Sequence, residues 1–102
     1  MKSSGQNGNC LHLVVRSSFE ALDNCLSQIE PGDSVLFLDD GVMHAVADGK
    51  DSSESRLPER YFSSADVQAR GLQKMLNDSD SVLSDLEIAS LIMAHDYCLT
   101  WK

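Results

Sequence analysis

Basic residues are scarce in this chain of 102 residues. Eight Lys and Arg stand against sixteen Asp and Glu, which gives a formal net charge of −8. A surface with this excess of carboxylates repels polyphosphates unless its few basic residues are gathered on one face, and here they are scattered between acids along the sequence. We therefore expect no direct binding of nucleic acid by this chain alone.

Long apolar runs are also missing. The longest of them, 11–15 and 35–38, are far shorter than the roughly 20 residues that span a bilayer, so no membrane helix is predicted. The first ten residues are polar, contain two glycines, and lack the apolar centre of a secretory signal. We expect residues 1–10 to form a flexible tail and residues 11–102 to form one domain of a cytoplasmic protein.

Sequence signatures of a self-contained active site are absent as well. The three cysteines have neither a CxxC spacing nor a mixed Cys/His metal spacing, and an odd set of thiols without an export signal indicates reduced cysteines. The three histidines form no i, i+4 pair, and no G-x-S-x-G elbow accompanies the serines. No cofactor, metal site or independent catalytic centre is predicted, although a small thiol enzyme centred on Cys25 stays open as an alternative.

What the chain does have is an alternation of short β-forming runs with helical patterns. Strands are predicted at five runs: 11–16, 34–38, around 61–62, around 82–83 and 97–101. Helices are predicted between them, over 17–30, 42–47, 63–70 and 84–94, and the polar segment 48–59 is predicted as a solvated connection. This order favours right-handed crossovers and therefore a three-layer α/β domain with a mostly parallel sheet of about five strands.

Local signals mark the ends of these helices. Three pairs have the spacing of a capping box, in which a hydroxyl and a carboxylate each bind an orphan backbone amide: Ser17 with Glu20, Ser63 with Asp66, and Ser84 with Glu87. The first helix is expected to bury one apolar stripe, made of Phe19, Leu22, Leu26 and Ile29.

Two charged segments can be interpreted in two ways. Asp39 and Asp40, directly after a buried strand, could form a paired acid site where open α/β sheets place ligands. The simpler interpretation, which we favour, is a turn and helix start in which aspartate caps free amides beside Gly41. Arg70 likewise complements a helix dipole while Gly71 permits the chain to reverse, and an interface role for Arg70 is an additional possibility.

Four phrases in a fixed order resemble the TusB/DsrH family. They are Leu11-His12 followed by Arg16-Ser17-Ser18-Phe19-Glu20; the run 31–38 leading into Asp39-Asp40-Gly41-Val42; Ala65-Asp66-Val67-Gln68-Ala69-Arg70-Gly71-Leu72; and the closing aromatic Trp101. Ser18 stands where the family commonly has Pro, and ten residues precede the first strand. The resemblance covers about residues 11–102.

The resemblance implies a flavodoxin-like or DsrE-like fold and a role in handling persulfide sulfur. It implies a heterohexamer with TusC/DsrF-like and TusD/DsrE-like subunits, in which the principal acceptor cysteine belongs to the D or E subunit and sulfur passes on to a downstream acceptor protein. One branch of the family serves 2-thiouridine formation at the wobble position of tRNA, and the other serves dissimilatory sulfur oxidation. We expect an accessory, non-catalytic subunit, favour the tRNA branch, and take Asp40, Gly41 and Arg70 as interface candidates.

Cys25 is the one thiol with a functional argument, because its position resembles that of a cysteine in H-type members. A relay thiol needs exposure and positive neighbours that lower its pKa, whereas Glu20 and Asp23 would raise the pKa of Cys25. We therefore favour a structural role and keep sulfur relay as the alternative. Cys98 is expected to be a small core residue of the last strand, and Cys10 lies in the predicted tail, where it could be exposed.

Overall fold

One parallel sheet organises the chain, whose computed structural model describes residues 9–47, 59–76 and 80–102. The strands are β1 Cys10–Val14, β2 Ser34–Phe37, β3 Glu59–Ser63, β4 Ser81–Leu83 and β5 Tyr97–Trp101. They lie in the order β4-β3-β2-β1-β5, and every neighbouring pair is parallel. The predicted three-layer α/β fold with a mostly parallel sheet of about five strands is confirmed. The predicted tail up to residue 8 and the predicted connection 48–58 lie outside the described residues.

The helices lie on both faces of this sheet. They are α1 Phe19–Leu26, α2 His44–Ala47, α3 Ser64–Ala69 and α4 Asp85–Met93, with 3-10 turns at Asp39–Met43 and Gln73–Met75. No helix in the described part of the chain has the length and apolar character needed to cross a membrane. The strands from β1 to β4 follow one another in one direction, and the chain then returns to the far edge for β5. Right-handed crossovers therefore place α4 on the face opposite α1, α2 and α3.

The main core lies between the sheet and the helices α1 to α3. Its buried residues are Val14, Cys25, Val35, Phe37, Val42, Ala45, Phe62, Val67 and Leu72. The rings of Phe37 and Phe62 stack with their centroids 4.9 Å apart. The guanidinium of Arg60 lies 5.1 Å from the Phe62 centroid and makes two 3.1 Å hydrogen bonds to Asp80. This ion pair joins β3 to the residue before β4 beside the aromatic pair.

Helix α1 differs from its prediction in its start, its end and its buried face. Ser18, and not Ser17, is the N-cap residue, and its Oγ accepts a hydrogen bond from the N–H of Ala21 at 3.2 Å. The helix ends four residues short of the predicted limit at residue 30, and it buries Ala21 and Cys25. Phe19, predicted on the inward stripe, is 69% exposed. Leu22 and Ile29 of the predicted stripe do pack against the core, beside the fully buried Ala21 and Cys25. The error is confined to the outer part of the stripe, where Phe19 at the first helical position lies beyond the area that the sheet covers.

The ends of α3 and α4 agree with their sequence signals. Ser84 and Glu87 make both hydrogen bonds of a capping box. At α3 only the hydroxyl half of the predicted box is seen: the Oγ of Ser63 accepts from the N–H of Asp66, while the carboxylate of Asp66 accepts from the N–H of Asp39. Gly71 has a φ of +65° after α3. Its N–H and that of the next residue bind carbonyls of the last helical turn, as in a Schellman motif.

The 3-10 turn Asp39–Met43 packs directly on the end of β1. A Cβ at Gly41 would lie 1.9 Å from the carbonyl oxygen of Val14, and that same oxygen accepts a hydrogen bond from the N–H of Leu38. The predicted helix over 42–47 is therefore α-helical only from His44 onwards, because the chain first turns tightly against β1.

Gly41→Ala should destabilise the fold by about 2 kcal/mol or more, because backbone atoms must move to accommodate the methyl group. Gly71→Ala is the matched control: it introduces strain at positive φ without a clash and should cost about 1 kcal/mol. Urea unfolding followed by the fluorescence of the single tryptophan measures both values. Equal costs at the two positions would contradict the close contact with Val14.

Candidate functional site

Charged side chains gather where β2 and β3 end, in what we call the carboxyl-edge cluster: Asp39, Asp40, Asp66 and Arg70. Asp39 and Asp40 follow β2, Asp66 lies in the first turn of α3 after β3, and Arg70 caps the end of α3. Because β2 and β3 are parallel, the segments that follow them start at the same edge of the sheet. The Nη2 atom of Arg70 lies 2.8 Å from Oδ1 of Asp40 and 3.3 Å from Oδ1 of Asp39. Its Nη1 atom lies 3.6 Å from Oδ1 of Asp66. The predicted interface candidates Asp40 and Arg70 thus contact each other, next to Gly41.

The carboxyl-edge cluster has a net negative charge. Its three carboxylates and one guanidinium carry a formal charge of −2. The hydrogen bond that Arg70 donates to Asp40 is the main cause that raises the pKa of Arg70 above its ordinary value, so Arg70 stays a cation. Within residues 9–47, 59–76 and 80–102, no group of three or more His, Cys, Asp or Glu is arranged to hold a metal ion. The cluster is therefore an exposed ion-pair network that fastens α3 to the 3-10 turn.

Asp39 and Asp40 do not cap the turn in the way the sequence predicted. Leu38 occupies the N-cap position without a side-chain hydrogen bond, and Asp39 has a φ of +57°. Its N–H donates to Oδ2 of Asp66 at 2.8 Å, so a carboxylate from α3 supplies the missing acceptor. The two aspartates bind Arg70 instead, which draws them away from the amides of their own turn. Asp66 was not among the predicted site residues, although it lies in the family-like phrase that ends at Leu72.

Replacement of Arg70 by Gln should lower the unfolding midpoint at low salt, because three carboxylates are left without their cation. The difference from the unmodified protein should shrink at about 0.5 M NaCl, where screening acts over less than roughly 5 Å. Arg16→Gln is the control, since Arg16 is exposed and forms no ion pair with the described residues. Identical midpoints of the Arg70 variant and the control at both salt concentrations would argue against the network.

The thiols lie away from this edge, and two of the three are buried. Burial raises the pKa of Cys25 to about 12, with smaller contributions from Cys10 and Asp33. The direction agrees with the sequence prediction, but Glu20 and Asp23 are not its causes. Cys10 is only 2% exposed as the first residue of β1, which corrects its expected exposure in a tail. Cys98 lies in β5 as predicted, but it is only half-buried.

A buried polar network lies beside Cys10 and Cys25, and its centre is Asp33. The Oδ1 atom of Asp33 accepts from the N–H of Cys10 at 3.1 Å, and its Oδ2 atom accepts from the N–H of Glu30 at 3.0 Å. The Nε2 atom of His12 lies 2.9 Å from Oδ2, and the Nε1–H of Trp101 donates to Nδ1 of His12 at 3.0 Å. Indole N–H is only a donor, so Nδ1 carries no proton and Nε2–H donates to the carboxylate.

The network therefore leaves no free ring nitrogen on His12 to act as a base towards a thiol. The sequence prediction missed Asp33 and did not connect His12 with Trp101, which are 89 positions apart. The only signal was that the family-like opening phrase contains His12 and the family-like closing residue is Trp101.

Native protein treated with iodoacetamide at about pH 8 should leave Cys25 unmodified. Burial raises the pKa of this thiol to about 12, so almost none of it is ionised at that pH, and the sulfur is also shielded from the reagent. Half-buried Cys98 should react first, and all three cysteines should react in urea. Peptide mass spectrometry identifies the modified residue. Rapid native labelling of Cys25 would show that it is accessible after all.

Known proteins provide an independent comparison. A family model described as "DsrH like protein" matches residues 16–97. A protein called Protein TusB from Klebsiella pneumoniae is 35% identical over 94 residues, which cover 89% of this chain and 99% of that protein. Proteins of the same name from Pectobacterium carotovorum and Buchnera aphidicola are 32% and 30% identical over 95 residues, with the same coverage.

Proposed function

The chain belongs to the TusB/DsrH family, and from this premise we propose that it is an accessory subunit of a cytoplasmic sulfur-relay complex that supports 2-thiolation of the tRNA wobble uridine. In this proposal it assembles with TusC/DsrF-like and TusD/DsrE-like subunits in a heterohexamer. The acceptor cysteine lies on the D-type subunit, and sulfur leaves the complex to a downstream acceptor protein.

The observation that carries the accessory role is the state of the thiols. A sulfur carrier attacks a bound persulfide as a thiolate, so its sulfur must be both ionisable and accessible. Cys25 is buried and has a pKa raised to about 12, and Cys10 is buried in the same region. The third thiol, Cys98, lies half-buried on an edge strand. These properties favour a subunit that supports relay chemistry on a partner over one that carries sulfur itself.

The choice of the tRNA branch rests on the relatives. Those that match nearly the full chain carry the B-type name, Protein TusB, whereas the family model carries the H-type name. The scaffold itself suits either branch, since tRNA thiolation and sulfur oxidation differ in their partners and final acceptor.

The carboxyl-edge cluster supports assembly in both cases, because it presents Asp40 and Arg70 at an exposed edge next to the rigid turn at Gly41.

Deletion of the gene should lower wobble 2-thiouridine, measured by mass spectrometry of digested tRNA. A plasmid copy of the unmodified gene should restore the modification, and a Cys25→Ser copy should restore it to a similar level. Unchanged 2-thiouridine together with impaired sulfur oxidation would favour the other branch of the family.

Co-purification with untagged paralogous subunits tests assembly directly, and a chain that stays alone while those subunits associate with each other would contradict the proposal.

The role of Cys25 is best resolved in a persulfide-transfer assay on assembled complexes. If Cys25 only packs, Ser should weaken stability by about 1–3 kcal/mol, because it buries a more polar group, and Ala should behave at least as well. Both variants should still transfer sulfur. Loss of transfer in both variants, at unchanged assembly and thermal unfolding, would make Cys25 a sulfur carrier.

A further inference from the structure

Helix α4 is apolar on two opposite sides. Ile88 and Leu91 are half-buried towards the sheet. Leu86 and Met93, two turns apart on the other side, are 80% and 83% exposed, and Ala89 lies between them on the same stripe. No side chain of α4 is fully buried. The helix therefore presents to water a row of apolar residues at the i, i+3, i+7 spacing by which helices pack.

This arrangement differs from that of an ordinary surface helix. The exposed side of α1 carries charged and amide side chains, among them Glu20, Asp23 and Asn24. A helix with apolar residues on two opposite sides is normally covered by protein on both of them, because exposed apolar area is unfavourable in water. Exposed apolar patches of this kind mark interaction surfaces in folded proteins.

We propose that the α4 stripe, defined as Leu86, Ala89 and Met93, is the docking surface for a helix of a different subunit that carries basic residues beside its apolar ridge. This inference rests on the proposed function, and it names the surface and the chemistry of the partner. The small side chain of Ala89 between two long ones leaves a groove into which a ridge of a second helix fits, at the usual 8–10 Å between helix axes.

Charge decides between a different subunit and a second copy. Between Lys74 and Lys102 the sequence contains five acidic residues and no Lys or Arg. Three of those acids, Asp85, Glu87 and Asp96, are exposed within α4 or just after it. A second copy would bring the same acids together and would add a net charge of −8 to an equal charge. A partner with Lys or Arg residues around its apolar ridge would instead form ion pairs with these acids. Such pairs raise the rate of association and make it more specific.

The test compares a Leu86→Ser/Met93→Ser double variant with a matched Phe19→Ser control, whose side chain is 69% exposed on another helix. Each protein is titrated with purified TusC-like and TusD-like paralogues. The Kd of the double variant should rise by roughly tenfold or more for each of the two replaced side chains, because serine buries far less apolar area in the complex than leucine or methionine. Its circular dichroism and unfolding midpoint should stay unchanged, because both side chains are exposed. The control should bind as the unmodified protein does.

A second comparison tests the charges. The Kd of the unmodified protein should rise with NaCl between about 0.05 and 0.5 M, since rim charges are screened by salt. Asp85→Asn should show a smaller rise. Asp23→Asn, an exposed acid on α1, should show the same salt dependence as the unmodified protein.

The outcomes separate this inference from the proposed function. If the unmodified chain does not bind the paralogues at all, the accessory-subunit proposal fails. If it binds and the double variant binds equally well, or if Phe19→Ser is the variant that weakens binding, the α4 docking surface is wrong while the function stands. Self-association of the unmodified chain that the double variant abolishes would identify a second copy as the occupant and would overturn the inference.

Discussion

The structure depends on one buried carboxylate. Asp33, at the start of β2, accepts hydrogen bonds from the backbone of Cys10 in β1 and of Glu30 in the preceding turn, and it fixes the ring of His12. His12 in turn accepts from the indole of Trp101 in β5. The neighbouring strands β2, β1 and β5 are thus held together by side-chain hydrogen bonds as well as by the backbone hydrogen bonds of the sheet. Loss of the carboxylate would remove the acceptor of the hydrogen bonds from Cys10, His12 and Glu30, and the loss of a buried acceptor costs more than the net gain from forming one hydrogen bond.

The two ends of the sheet therefore have different properties. The amino end holds the Asp33 network and the buried thiols, where polar groups are satisfied internally and the Cys25 sulfur is kept protonated. The carboxyl end presents its charges to solvent, with Arg70 shared among three aspartates. Two of the three thiols thus lie in the interior and the charges of the carboxyl-edge cluster lie at the surface, which suits a protein that acts through contacts with other proteins.

The sequence predicted what depends on local pattern. β5 was predicted at its observed limits, and the capping box of α4 and the glycine that ends α3 were predicted because neighbours in sequence determine them. Contacts between distant segments were missed. The N–H of Asp39 has its acceptor on Asp66, and the hydrogen bond from Trp101 to His12 joins the two ends of the domain. The spacing of apolar residues along the sequence contains no information on which distant residues will form hydrogen bonds.

The position of β1 inside the sheet has a consequence for protein synthesis. β1 lies between β2 and β5, yet it is translated before the other four strands, and β5 follows only after the whole sequence of α4 has been translated. Pairing with β2 can occur early, but the other edge of β1 has no partner until residues 97–101 have been made. During that interval the nascent chain carries an apolar strand with one unpaired edge, the form in which strands most readily aggregate or recruit a chaperone.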